Sequence, residues 1–229
     1  MSTDPQSLSF ASDLPFEYVG GDASLDLVNT VDWTARGLEM DRLSSYERLV
    51  RWAEGAGVVG AAEGEALRRR AKARPQEATA AYQSARWLRW VVRRLYLAAA
   101  NAEPLDAALG DFNDVLAGAM RRLELAPAPA GEGRVARWAW VGRDERLDSP
   151  LWPVARAAAD LLASAEGDRV RVCGGEGCGW VFVDRSRNGF RRWCQMEVCG
   201  TREKSRRRAN RERPVGRGVP GAVSSSGRG

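Results

Sequence analysis

The four cysteines of the chain, Cys173, Cys178, Cys194 and Cys199, fall within 27 residues in the pattern C-x4-C-x15-C-x4-C. Two close pairs on short loops suit a tetrahedral ion. Each C-x4-C loop can wrap one edge of the tetrahedron, and the residues between the pairs can fold as a hairpin that brings the edges together. The first loop, CGGEGC, carries three glycines, which permit the backbone angles of a tight ligand knuckle. Four thiolates fill the coordination shell, so the implied cofactor is one structural zinc ion and not a catalytic one. Two disulfides and a redox dithiol are the alternatives. A reducing compartment opposes the first, and the second would favour C-x-x-C beside a helix N-terminus, a spacing that does not occur.

The residues around these pairs frame the clamp. WVFVD (180–184) reads as one strand and FRRWC (190–194) as its return, joined by RSRNG, whose Asn188-Gly189 step is a strong hairpin signal. A helix over about Thr201 to Arg213 follows and stops before Pro214. Charge gathers in the same region: from Arg169 to Gly229 fifteen basic residues face five acidic ones, +10 in a chain of net charge +5. A mildly acidic body joined to a basic end points to a polyanionic partner, nucleic acid before anionic lipid. Arg185, Arg187, Arg191 and Arg192 fall on or beside the expected hairpin. Arg202, Lys204, Arg206, Arg207, Arg208, Arg211 and Arg213 fall on the final helix, where Lys204, Arg208 and Arg211 share one face. Such a helix has little apolar surface to bury. Anchored at its start by a metal, it could lie along a DNA groove with arginines on phosphates.

The body that must carry this module is legible as a series of helices. With 229 residues, 44% of them apolar and nine of them Trp, the chain can bury a sizeable core. FEYVGG (16–21) reads as a short strand ending in a Gly-Gly turn, and DASLDLVNTVDW (22–33) as a helix capped by Asp22. In SSYERLVRWAEGAG (44–57), Ser44 and Glu47 fit a capping box, and Tyr46, Leu49, Val50 and Ala53 form the buried stripe. Ala61 to Ala73 is helical by composition. Pro75 opens a long helix with a core stripe of Tyr82, Ala85, Leu88, Val92, Leu95 and Ala99, while Arg86, Arg89, Arg93 and Arg94 fall mostly elsewhere. A helix from Leu105 to Leu123 precedes a linker, APAPAGEG, and then a strand in RVARWAWVG. The last helix before the cysteines takes Ser149 as N-cap and Pro150 at its first position, buries Val154, Ala155, Ala158, Leu161, Leu162 and Ala165, and stops at Gly167. Trp33, Trp52, Trp87, Trp90, Trp138 and Trp140 are expected in the core.

Residues 173–213, with FVDRSRNG, RRWC and the CG-x-R step at Cys199, Gly200 and Arg202, resemble the CGNR-type zinc finger found at the C-terminus of bacterial transcription regulators. The stretch upstream, FEYVGGDASLDLVNT and then a helix ending RLVRWAEGAG, is similar to the ABATE domain usually paired with that finger. The likeness to this stress-induced transcription-regulator family covers nearly the whole chain. Thr201 departs from it, standing where the name-giving Asn would be; Thr can also cap the helix that follows. The fold class expected is α+β: a mostly helical N-terminal domain with a few short strands, plus a small C-terminal treble-clef-like zinc finger of hairpin and helix. The expected divisions are a disordered leader (1–15), an ABATE-like domain (16–167), a CGNR-type finger (168–213) and a disordered Gly/Ser-rich tail (214–229). The resemblance implies a zinc-dependent, DNA-binding transcription regulator whose N-terminal domain senses a small-molecule effector or mediates assembly. RNA is the alternative partner, and a homodimer would enlarge the small contact area of one finger.

An enzyme in the N-terminal domain belongs to a different class and finds little support. The chain has no histidine, no G-x-S-x-G elbow and no G-x-x-x-x-G-K loop. Asp22, Asp26 and Asp32 share a helix face only in part, and capping or surface charge accounts for them. Asn29 and Thr30, polar among apolar neighbours, are the candidate ligand pocket; the other reading is that they satisfy backbone groups in the core. Neither a signal-peptide start nor about eighteen consecutive apolar residues occurs, so a cytoplasmic protein with no membrane partner is expected.

Overall fold

A computed structural model gives the fold over residues 9–10, 14–34 and 37–212. Most of the expected leader, Arg213 and the expected tail lie outside the described residues. In chain order the elements are β1 (Ser9–Phe10), α1 (Ala23–Val28), β2 (Val31–Thr34), β3 (Gly37–Asp41), α2 (Tyr46–Gly55), α3 (Ala61–Ala73), α4 (Pro75–Ala100), α5 (Asp106–Met120), β4 (Leu123–Pro127), β5 (Ala136–Trp140), α6 (Leu151–Leu162), β6 (Val170–Val172), β7 (Val181–Val183) and α7 (Thr201–Glu212). The architecture is α+β, with helices dominant and the strands in three small sheets.

α4 is the axis of the body. Pro75 opens it, because a first-turn residue has no intrahelical use for the N–H that proline lacks. Its stripe of Ala85, Leu88, Val92 and Leu95 is buried, with Tyr82 and Ala99 half-buried. α1, α2, α3, α5 and α6 all pack on it, closing one core that holds Leu25, Leu49, Trp52, Phe112 and Trp152. Each large apolar side chain so buried contributes roughly 1.5–3 kcal/mol.

An ion pair runs through that core. Arg89 lies four residues on from Ala85 and so returns to the buried face, where it is 4% exposed. It donates to both carboxylate oxygens of fully buried Asp41, at 2.7 and 2.5 Å, and to Thr30 Oγ1 at 2.9 Å. The Leu43 N–H adds a third donor to Asp41 at 2.9 Å. A buried carboxylate is tolerable only with its charge and lone pairs met in this way.

Several expected elements differ. FEYVGG is not a strand; the chain there is fixed by its end, the Gly20 N–H donating to Asp26 at 2.8 Å. The helix capped by Asp22 stops at Val28, and β2 pairs antiparallel with β3, while Ser9–Phe10, assigned to the leader, adds a parallel strand on the other side of β3. The N-cap of α2 is Ser45, whose Oγ accepts from the Arg48 N–H at 3.2 Å, so Ser44 and Glu47 form no capping box and Glu47 pairs with Arg68 instead. The helix expected to reach Leu123 ends at Met120, and Leu123–Pro127, which take in the first two residues of APAPAGEG, pair with Ala136–Trp140 as a hairpin. At α6 the cap position is Pro150, Ser149 Oγ is buried without a hydrogen-bond partner, the helix ends at Leu162, and Ala165 is exposed. Trp87, Trp90 and Trp138 lie on the surface, 47%, 43% and 55% exposed. At about 100° per residue, positions 87 and 90 sit far around α4 from the Ala85 face, where the two rings stack with centroids 5.0 Å apart. The Trp33 side chain lies outside the described residues.

Candidate metal centre and basic helix

The cysteine pairs reach one point by different routes. β6 and β7 pair antiparallel, Val170 with Val183 and Val172 with Val181, so the hairpin closes around the first pair, Cys173 and Cys178. Val170, Val181 and Val183 belong to the core of the body. FRRWC is not the return strand that the Asn-Gly step suggested. Asp184, fully buried, holds the loop by accepting from the Ser186 N–H at 2.9 Å, the Ser186 hydroxyl at 2.5 Å and the Arg191 N–H at 3.0 Å. Burial raises its carboxyl pKa, but these hydrogen bonds outweigh burial and hold it below the ordinary value. The second pair follows: Cys194 ends the loop, and Cys199 sits in a single π turn, Met196–Gly200, that runs straight into α7.

All four sulfurs lie within 4.8 Å of one another. Cys194 Sγ is 3.8 Å from Cys178 Sγ and 3.7 Å from Cys199 Sγ, close to the edge of about 3.8 Å that a tetrahedron with Zn–S bonds of about 2.3 Å would have. The N–H groups of Cys194 and Gly175 donate to Cys173 Sγ at 3.3 and 3.5 Å. Gly175 sits close against the cluster: a Cβ there would stand 3.1 Å from Cys199 Cβ and 3.2 Å from its sulfur, so a larger residue would require the cysteine to shift. Hydrogen bonds from the Cys178 and Cys194 thiols pull the Cys173 pKa well down, and the two donors are pushed up by the same bonds. Cys199 is raised, first by burial. Four thiols this close cannot all ionise unaided, so a divalent cation with thiolate affinity is the group that completes the site, and the donor set and spacing fit zinc.

Two family models divide the chain at this point. Residues 21–165 match the ABATE family, described as "Putative stress-induced transcription regulator". The chain belongs to the ABATE family. Residues 169–212 match the CGNR zinc finger, and with the thiol cluster this supports one structural zinc. No curated protein matches the chain. The families point to a metal-binding, regulatory zinc-finger protein rather than an enzyme. Among the described residues no helix is long and apolar enough to cross a membrane.

The ten cations that the sequence assigned to nucleic acid fall into three groups. Arg185 is committed to Glu166, at 2.6 and 2.8 Å, and to the Gly21 carbonyl at 2.7 Å. Arg191 lies over Phe182 and donates to the carbonyls of Cys194, Trp193 and Val19. Both brace the finger. Arg206 and Arg207 share Glu203, at 2.7 and 2.8 Å, and Arg206 also reaches Glu176. Their guanidiniums cover Glu203, and these bonds lower its pKa. The other six, Arg187, Arg192, Arg202, Lys204, Arg208 and Arg211, are exposed, and Arg185, Arg206 and Arg207 are exposed as well around their ion pairs. Thr201 does not cap α7; its hydroxyl donates to the Met196 carbonyl at 3.3 Å, since the helix is already under way.

Asn29 and Thr30 do not present their polar groups to a ligand. The Asn29 amide donates to the Val181 carbonyl at 2.8 Å and accepts from the Val181 N–H at 2.9 Å, pinning β7 to the end of α1. Thr30 Oγ1 donates to the Leu27 carbonyl at 2.7 Å and accepts from Arg89. Asp22 caps α1, Asp26 accepts from Gly20, and Asp32 pairs with Arg42 at 2.6 Å. Sequence reasoning missed the seam between body and finger. Trp180 Nε1 donates to the Val31 carbonyl at 2.9 Å, Arg42 lies over the Trp180 ring, and Arg93 of α4 donates to the Gly179 carbonyl at 2.8 Å. Burial lowers the Arg93 pKa to about 10. Beside the thiols that seam opens into a cleft of about 290 Å³, with Glu17, Arg42, Trp180, Gln195 and Arg202 on its walls.

Proposed function

We propose that the chain is a zinc-dependent DNA-binding transcription regulator in which Cys173, Cys178, Cys194 and Cys199 hold the metal. The metal fixes the start of α7, and α7 presents cations to DNA phosphates. One observation carries this: α7 has Glu203 as its single buried residue among the described side chains, and its exposed face is basic. A helix without an apolar face is not there to fill a core. Arg187, Arg192, Arg202, Lys204, Arg208 and Arg211 are the contacts this reading selects, with Arg185 and Arg191 bracing them. An effector would act at the cleft between Arg42 and Arg202, where one ligand can touch both body and finger. A cytoplasmic location goes with this reading.

Binding of the zinc-loaded protein to duplex DNA, measured against salt, tests it. Five or six neutralised phosphates give a log–log slope of about −5. Truncation before Thr201, which leaves the core valines and all four cysteines in place, is expected to abolish that binding. Salt-independent association, unchanged binding after truncation, or preference for structured RNA over duplex DNA at fixed salt would each overturn the DNA assignment.

A further inference from the structure

The finger carries apolar surface that neither the core nor the metal explains. Phe190 is 82% exposed in the loop after β7, and Met196 is 51% exposed two residues beyond Cys194. They line one groove of about 550 Å³ with Trp193 and Arg192, Glu197 being its single acidic residue. Arg192 Cζ lies 5.4 Å from the centroid of the Trp193 ring. The loop that lifts Phe190 into solvent is braced: Asp184 ties its two ends through Ser186 and Arg191, and Gly189 takes φ +69° at the turn. Arg191 is locked onto Phe182 beneath it. The backbone that carries the ring is thereby fixed, so less chain freedom is lost on entering a partner, and exposed Arg187 and Arg192 lie three residues before and two after it.

We infer that Phe190 is a wedge for duplex DNA: its ring enters between two stacked base pairs from the minor groove while Arg187 and Arg192 hold the neighbouring phosphates. Apolar side chains that part a base step and kink the helix are the recurring use of such a group on a basic module. The flanking arginines favour a polyanion over an apolar protein surface. Met196, on the same groove, covers the base face that the wedge unstacks. This inference rests on the DNA-binding reading and specifies its contact.

The experiment uses the full-length zinc-loaded protein and a short mixed-sequence duplex carrying 2-aminopurine at several steps. Wild type is expected to raise 2-aminopurine fluorescence on binding. Phe190→Ala should lose that rise and bind about tenfold more weakly, as expected for loss of one base-stacking contact. Its salt slope should be unchanged, because no cation is removed. Phe190→Leu, still an apolar wedge, should keep most of both signals. Phe190→Ala binding within twofold of wild type with the same fluorescence rise overturns the wedge while leaving DNA binding standing. A larger loss on single strands than on duplex overturns it in favour of stacking on unpaired bases. Wild type that binds no duplex overturns the underlying DNA reading and the wedge with it.

Discussion

The first cysteine pair stands on a hairpin whose Val170, Val181 and Val183 are part of the core of the body, whereas the second pair leads into a helix in which Glu203 is the one buried residue among the described side chains. The hairpin is further held by Asn29 on Val181, Trp180 on Val31 and Arg93 on Gly179. α7 has twelve residues, a length at which an isolated helix is marginal in water, and its like charges repel. The halves of the finger therefore differ in what the metal does for them. For the hairpin, zinc caps a structure the apolar core already holds; for α7, zinc is the anchor.

The largest expected effect follows from that contrast. Binding free energies for structural zinc run to about 10 kcal/mol or more. Chelation, or Cys194→Ser, should unfold α7 and cut DNA affinity at least a hundredfold. The cooperative melting of the body should persist, read by circular dichroism and calorimetry. A body that melts with its metal would break the comparison.

A substitution in the body should do the reverse. Asp41→Asn leaves the Arg89 guanidinium buried without its counter-charge, and such breakage costs about 3–5 kcal/mol. Urea unfolding should register it, with zinc affinity unchanged in the protein that remains folded.

Next is a pH effect at Asp26. Burial lifts its pKa from 3.8 to about 6, partly offset by the Gly20 N–H. Because the native state holds this proton more tightly than the unfolded chain, the contribution is fully present below about pH 3.8 and is lost as pH rises through about 6. At pH 7 the buried carboxylate costs up to about 3 kcal/mol. Asp26→Asn should raise stability at pH 7 and flatten the pH dependence between about 4 and 6 in urea titrations. An unchanged slope would show that Asp26 is better solvated than its position under Gly20 implies.

The smallest expected effect sharpens the boundary between the halves. Asn29→Ala strips both hydrogen bonds from the Val181 backbone and should cost about 2 kcal/mol. It should speed amide exchange in β6 and β7 before it affects the rest of the body. Equal loss of protection throughout would mean that the hairpin has no local identity within the core.

Legibility in the sequence followed the same divide. Spacing alone located α4, its core stripe and the four thiols, because helical periodicity and short-range ligand patterns are local signals. It misassigned the hairpin, since Val170–Val172 precede the cysteines and pair across a knuckle, while Asn188-Gly189 serves a loop organised by Asp184. Counting charges could not separate Arg191, spent on carbonyls and Phe182, from Arg192, which is exposed. The signal that could have helped at Arg89 was there: its i,i+4 relation to Ala85 places an arginine on the core face, which calls for a buried acid. Asn29 and Thr30 illustrate the limit, since their partners are distant in sequence: Val181 for one, Arg89 for the other.

Hydrogen exchange on zinc-loaded and chelated protein tests the division most directly. Loss of protection confined to Met196–Glu212, with Val170–Val172 and Val181–Val183 still slow, is the predicted result. Simultaneous loss in both segments, or an α7 that stays protected without metal, would contradict it.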